Sequence, residues 1–107
     1  MTCQVLAQLE EVIRQRIREG NPQSYTYRLY TAGAPHIARK VAEEAVETAV
    51  AALAEGRQRT VEEVADLIYH LLVLLATQNL TLNDVCAELE KRMKKIADHR
   101  DVASRDV

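Results

Sequence analysis

Apolar residues recur at helical spacing from the start of the chain. Val5, Leu6, Leu9, Val12, Ile13 and Ile17 share one helical face, and Gly20-Asn21-Pro22 stops the pattern. A first helix is therefore predicted over residues 3–19. The segment SYTYRLYTAG, residues 24–33, holds three of the four tyrosines and reads as a short helix or an ordered loop closed by Gly33. Pro35 suits the first turn of a third helix, which runs to Glu55 before Gly56 ends it. Thr60 is placed to cap a fourth helix reaching Gln78, and Thr81 a fifth whose narrow apolar stripe is Leu82, Val85, Leu89 and Ile96. Residues 98–107 are charged and aperiodic and are expected to form a loose tail. Short connections between long helices predict antiparallel neighbours, hence an all-α helical bundle of four to five helices in a single domain, residues 1–107.

Composition narrows the classes without naming a chemistry. Gly and Pro are scarce, at 3 and 2, and there is no Phe or Trp. That balance suits helices and lacks the turn signals of a β protein. A net charge of -2 gives no support to nucleic-acid binding. Cys3 and Cys86 lack metal-ligand spacing and read as reduced thiols, with Cys86 expected on or near the packed face of the fifth helix. No signal peptide is apparent, and the run HLLVLLA is far short of the roughly 20 residues needed to cross a bilayer. A soluble cytoplasmic domain with no membrane contact is the expectation.

The third and fourth helices carry acidic residues where a plain core helix would carry leucine. At about 100° per residue, His36, Lys40, Glu43, Glu44 and Glu47 gather in one arc of the third helix, while Ile37, Val41, Ala45, Ala49 and Ala52 spread around the other side. One turn further, Val50, Ala51 and Ala54 continue the acidic arc, so the glutamates are expected to meet protein below them. The fourth helix is apolar on nearly every side from Val64 to Ala76, the pattern of a buried helix. On one edge of it lie Glu63, Asp66 and His70.

Ionised carboxylates in apolar surroundings are neutralised, paired with a base, or bound to a metal. If the acidic edges of the two helices face each other, four or five carboxylates converge and a cation is needed. Mg²⁺ or Mn²⁺ suits such an oxygen-only cluster. Plainer readings stand beside this one. Glu43 to Glu47 also read as ordinary exposed helix charge, with Lys40 and Glu44 an i,i+4 ion pair. Thr60 and Glu63, in TVEE, form a capping-box pattern that accounts for Glu63 without catalysis. Asp66 lies past the first turn, so its plain reading is a salt bridge to an arginine. His70 reads as a hydrogen-bonded core histidine outside any metal shell, and Tyr69 as a packing residue.

The conjunction of EEAVE with EVAD, 15 residues later, resembles the signature of the MazG-like all-α nucleoside-triphosphate pyrophosphohydrolases. Together with SYTYRLYTAG, KVAEEAVETAVAAL and EEVADLIYHLLVLL, it is similar to the phosphoribosyl-ATP pyrophosphohydrolase family over residues 3–96. The resemblance implies Mg²⁺-dependent hydrolysis of the α–β phosphoanhydride of phosphoribosyl-ATP to phosphoribosyl-AMP and pyrophosphate, the second step of histidine biosynthesis. It implies Glu44, Glu47, Glu63 and Asp66 as metal ligands. It sets Glu43 beside them to orient or deprotonate water or to support the ligands, and Lys40 to meet phosphate charge. Ser24, Tyr25 and Thr26, with Arg28 nearby, are implied as substrate-binding residues. It also implies a homodimer or larger assembly in which the bundle is completed between chains.

Other readings differ in testable ways. Ferritin-like di-metal oxidases need Glu-x-x-His on two helices, and here no glutamate is followed three residues later by histidine. A pyrophosphohydrolase of another nucleoside triphosphate would share the metal cage and differ in its base and sugar pocket. A non-catalytic helical oligomerisation module would have no specific metal site. Arg57 and Arg59, read as loop residues, and Lys91, Arg92, Lys94 and Lys95 on the fifth helix are left as solvated charge or phosphate contacts.

Overall fold

The computed structural model describes residues 4–99, and all regular structure among them is helical. Helix α1 spans Gln4–Glu19, α2 Tyr25–Ala32 and α3 Ala34–Val50. A π-helical turn, Ala51–Glu55, continues α3, and α4 spans Arg57–Thr77 and α5 Leu82–His99. These bounds follow the predicted segments closely. Cys3 and residues 100–107 lie outside the described residues, and α5 takes in Asp98 and His99, which had been assigned to the tail.

The caps show where sequence and structure part. Ser24 is extended and its Oγ accepts the Tyr27 N–H at 3.2 Å, so SYTYRLYTAG becomes a capped helix rather than a loop. Thr60 does not cap α4. Gly56, at φ 94°, starts the helix at Arg57, and Thr60 lies within its first turn, donating its hydroxyl to the Gly56 carbonyl at 2.7 Å. The capping box forms instead at α5. There the Thr81 N–H donates to Asp84 Oδ2 at 2.8 Å and the Asp84 N–H to Thr81 Oγ1 at 3.2 Å.

The main pairing is α3 with α4, joined through the π turn and Gly56, with α1 and α2 packed alongside. Ile13, Leu29, Ile37, Leu72 and Val73 form the buried core, with Leu9, Ile17, Val41, Ile68 and Leu75 against it. Each of α1 to α4 thus contributes an apolar stripe to one small core. Helix α5 joins it through its first turn, where Leu82 packs and its N–H donates to Glu10 Oε2 at 2.7 Å.

Several positions read as core are open in the single chain. Val64 and Leu71 on α4, and Val85 and Leu89 on α5, are exposed. Ala45, Ala49 and Ala52 are exposed too, and below the glutamates Ala51 alone is buried while Val50 and Ala54 are open. Cys86 is exposed as well, contrary to the packed position expected for it, because most of α5 has no helix beside it.

Candidate metal centre

The α3–α4 pairing brings Glu44, Glu63 and Asp66 together, with one carboxylate oxygen from each within 4.8 Å of the others. Glu44 and Glu63 are 8% and 5% exposed, whereas Asp66 is open to solvent. Glu44 Oε1 and Glu63 Oε1 are buried without a hydrogen-bond donor. Buried polar atoms are rarely left so, and two carboxylate oxygens in one cluster call for a cation or a proton. Burial pushes the Glu44 carboxyl above its ordinary range. The charge of Glu47, the Glu63 carboxyl and Asp66 push the same way, and His70 opposes them.

The plain readings of Glu44, Glu63 and Asp66 do not hold. Lys40 pairs with Glu43, Nζ to Oε1 at 3.8 Å, rather than with Glu44. Glu63 caps nothing, since α4 starts at Arg57. The Asp66 side chain forms no ion pair among the described residues. Glu43 and Glu47 are exposed, as their plain reading as helix surface charge expects. Glu47 lines a cleft of about 220 Å³ with Val46, Val50, Glu55, Arg59 and Glu63, so it stands at the rim of the cluster.

Arg59 is the residue that sequence reasoning misplaced. Because α4 begins at Arg57, Arg59 sits in its first turn, where its guanidinium bonds Glu62 and Glu63 and lies 3.9 Å from Glu55. It is the counter-charge to one side of the buried Glu63. Spacing supplied the missing signal, since Arg59 and Glu63 are i,i+4 once the helix starts early. Glu62, the neighbour of Glu63, is in the opposite situation. Hydrogen bonds from Gln58 and then Arg59 hold its carboxyl below the usual range.

The other expected site residues lie on α2 and its approach. Ser24, Tyr25 and Thr26 line a cleft of about 330 Å³ with Arg16, Glu19, Asn21 and Gln23. Ser24 also serves as the α2 cap. Thr26 Oγ1 is 2.6 Å from the Tyr69 hydroxyl, and the Tyr25 hydroxyl is 3.3 Å from His70 Nε2. Arg28 turns to the preceding loop, donating to the Pro22 carbonyl at 3.0 Å. His70 is buried and bonded at both ring nitrogens, and it is not among the clustered ligand atoms. Tyr69 is half-buried against the core; burial raises its pKa, with Thr26 opposing and Tyr25 adding to the rise.

Known proteins resemble this chain over most of its length. The sequence profile of a family described as phosphoribosyl-ATP pyrophosphohydrolase matches residues 6–93. A phosphoribosyl-ATP pyrophosphatase of Pyrobaculum calidifontis is 74% identical over 94 residues, covering 88% of this chain and 100% of that protein. The proteins of that name from Metallosphaera sedula and Saccharolobus solfataricus are 56% and 48% identical. They cover 84% and 88% of this chain, and the matches span 97% and 100% of their own lengths. A match of this extent takes in most of α1, all of α2 to α4, the carboxylate cluster and the Ser24–Thr26 cleft together, so the chain belongs to the phosphoribosyl-ATP pyrophosphohydrolase family.

Proposed function

We propose that the chain hydrolyses the α–β phosphoanhydride of phosphoribosyl-ATP to phosphoribosyl-AMP and pyrophosphate, the second step of histidine biosynthesis, at the Glu44–Glu63–Asp66 cluster. The observation that carries this reading, in a chain of this family, is the pair of buried carboxylate oxygens without donors. The donor set is all oxygen, anionic and clustered, which fits a hard divalent cation, Mg²⁺ or Mn²⁺. Glu44, Glu47, Glu63 and Asp66 would hold it. When bound, such an ion offsets phosphate charge, polarises phosphoryl oxygens and acidifies a bound water.

The remaining work falls to the chain's own side chains. Lys40, held beside Glu43 at the exposed end of the acidic arc, supplies positive charge to the polyphosphate. Glu43, exposed beside Lys40 and outside the buried cluster, would orient the attacking water or take its proton. Arg59, half-exposed beside Glu63, offers a second cation at the rim. The cleft with Ser24, Tyr25 and Thr26 takes the nucleoside part, with Arg28 fixing the loop before it. Positioning and electrostatics of this kind suffice for phosphoryl chemistry.

The test is pyrophosphate release from phosphoribosyl-ATP beside ordinary nucleoside triphosphates, with Mg²⁺ and with EDTA. Turnover is expected for phosphoribosyl-ATP and is lost in EDTA. Preference for another triphosphate would keep the cluster and change the substrate. No turnover of any of them would leave a helical interaction module.

The working form is a homodimer or larger assembly in the cytoplasm. Among the described residues no helix is long and apolar enough to cross a membrane. Leu53 is 89% exposed, and Val46, Val50, Val61 and Val64 are open on α3, its π turn and α4. Apolar surface on this scale marks an interface. On α5 the open stripe is flanked by acidic residues in the first half, Asp84, Glu88 and Glu90. Lys91, Arg92, Lys94 and Lys95 follow in the second half, so two antiparallel copies present opposite charges to each other. Sedimentation at micromolar concentration is expected to give at least two copies. A monomer that stays monomeric on concentration would remove the assembly.

A further inference from the structure

His70 stands one turn beyond Asp66 on α4, and its two ring nitrogens have different partners. Nδ1 lies 2.7 Å from the Asp66 backbone carbonyl. A carbonyl only accepts, so Nδ1 carries the proton. In the neutral ring Nε2 is then bare and can only accept. The group facing it is the Tyr25 hydroxyl, at 3.3 Å, which must therefore donate. For the neutral ring the direction of the whole chain follows, from Tyr25 O–H to His70 Nε2 and from His70 Nδ1–H to the α4 backbone.

The surroundings hold the His70 ring in place. His70 is 6% exposed and meets both tyrosine rings edge-on, Tyr25 at 78° and Tyr69 at 84°. Tyr25 and Tyr69 stack with centroids 6.2 Å apart, and the Thr26–Tyr69 hydrogen bond makes a second link between α2 and α4. Tyr25 itself is 48% exposed and lines the cleft beside Ser24 and Thr26. Its buried side is thus committed and its open side is not.

We propose that His70 is a positioning residue which keeps the Tyr25 hydroxyl as an acceptor only, so that Tyr25 recognises a hydrogen-bond donor of the nucleotide, a ribose hydroxyl or an amino group, and not a phosphate. A tyrosine whose proton is given to histidine presents only lone pairs to the cleft, which a phosphate oxygen cannot use. Phosphate charge is left to the cationic side chains, and Tyr25 discriminates among nucleosides. The inference rests on the cleft being the nucleoside subsite of the proposed reaction.

Three substitutions separate this role from simple packing. Tyr25→Phe removes the acceptor and is expected to raise KM about 3- to 10-fold with little change in kcat, the loss of one ordinary hydrogen bond. His70→Asn keeps a donor for the Asp66 carbonyl and loses the acceptor for Tyr25; it should raise KM similarly. The Tyr25→Phe/His70→Asn double variant should be no worse than Tyr25→Phe alone. His70→Gln returns an oxygen acceptor near the Nε2 position and should recover most of the affinity. Additive effects, an unchanged KM in Tyr25→Phe, or no recovery with glutamine would overturn the proposal.

A readout independent of turnover is the tautomer of His70 by ¹⁵N NMR. The expected form has the proton on Nδ1, with the Nε2 resonance moving in Tyr25→Phe, while Mn²⁺ binding followed by electron paramagnetic resonance stays unchanged. A proton on Nε2 would refute the proposal whatever the kinetics. The kinetic arm uses whichever nucleotide the wild type turns over best, so failure with phosphoribosyl-ATP overturns the substrate reading alone. Analogues of that nucleotide lacking a single ribose hydroxyl or amino group identify the donor: the right one loses its advantage in wild type and not in Tyr25→Phe. If every such analogue loses as much in Tyr25→Phe as in wild type, Tyr25 is not the recognising group.

Discussion

Glu44→Gln is expected to abolish turnover and yet leave the metal-free protein at least as stable as the parent. The carboxyl is covered by protein, has one oxygen without a donor, and faces Glu47, Glu63 and Asp66, so its charge is opposed on all these counts. Removing it relieves repulsion while keeping nearly the same shape. The loss for catalysis is of another order. A metal's charge stabilisation of several kcal/mol corresponds to about 10²- to 10⁴-fold in rate. The sign with pH follows from the same cause. A carboxyl whose folded pKa lies above its ordinary 4.5 contributes stability that is fully present below the unfolded value and is lost as pH rises through the folded one. Metal-free wild type should therefore lose the Glu44 share of its stability as pH climbs from about 4.5, and Glu44→Gln should lack that slope. Asp66→Asn should match the loss of turnover without the stability gain, since Asp66 is exposed. Thermal melts in EDTA across pH, beside pyrophosphate release, check all of this. Clear destabilisation of Glu44→Gln in EDTA would mean that the carboxylate serves a structural partner.

The acidic arc was legible because helical angle is a property of sequence alone. Glu44 and Glu47 differ by one turn, yet one is buried and the other stands at the rim. That distinction depends on how α4 crosses α3, which no spacing states. Thr60 and Thr81 carry the same local signal, a threonine followed three residues on by an acid. They diverge because Gly56 at φ 94° starts α4 three residues ahead of Thr60, while nothing displaces Thr81. Arg59 was lost to the same early start. The π turn had no sequence mark. The Ala51 N–H is shared between the Glu47 and Thr48 carbonyls, and its side chain is fully buried. The Tyr25–His70 and Thr26–Tyr69 links join residues more than 40 positions apart, and only the tertiary fold brings them together. Apolar positions on α4 and α5 were read as core and are open in one chain, because a periodic stripe reports that a face is covered and not which molecule covers it.

The largest effect on stability is expected from Ile37→Ala. Ile37 is fully buried with Leu72 and Val73 of α4, and it lies seven residues, close to two turns, before Glu44 on α3. The contact that fills the core thus also sets the register in which Glu44 meets Glu63 and Asp66. Truncation should cost about 2–5 kcal/mol, the lost transfer energy plus the cavity left behind. Against a total of roughly 5–15 kcal/mol for a domain, that is a large share, and the melting midpoint should fall by about 10–25 °C. Val5→Ala on the exposed face of α1 should change stability by no more than about 0.5 kcal/mol. Mg²⁺ separates a weakened scaffold from a lost site. Ile37→Ala keeps every carboxylate, so saturating Mg²⁺ should raise its midpoint as it raises that of wild type, by mass action on the folded state. Glu44→Gln should gain much less. If Mg²⁺ stabilises wild type and fails to stabilise Ile37→Ala below its melting range, the register of α3 on α4 is held by the Ile37 contact more tightly than by the rest of the helix pair. If Mg²⁺ raises Glu44→Gln as much as wild type, the ion binds elsewhere and the cluster is not the metal centre.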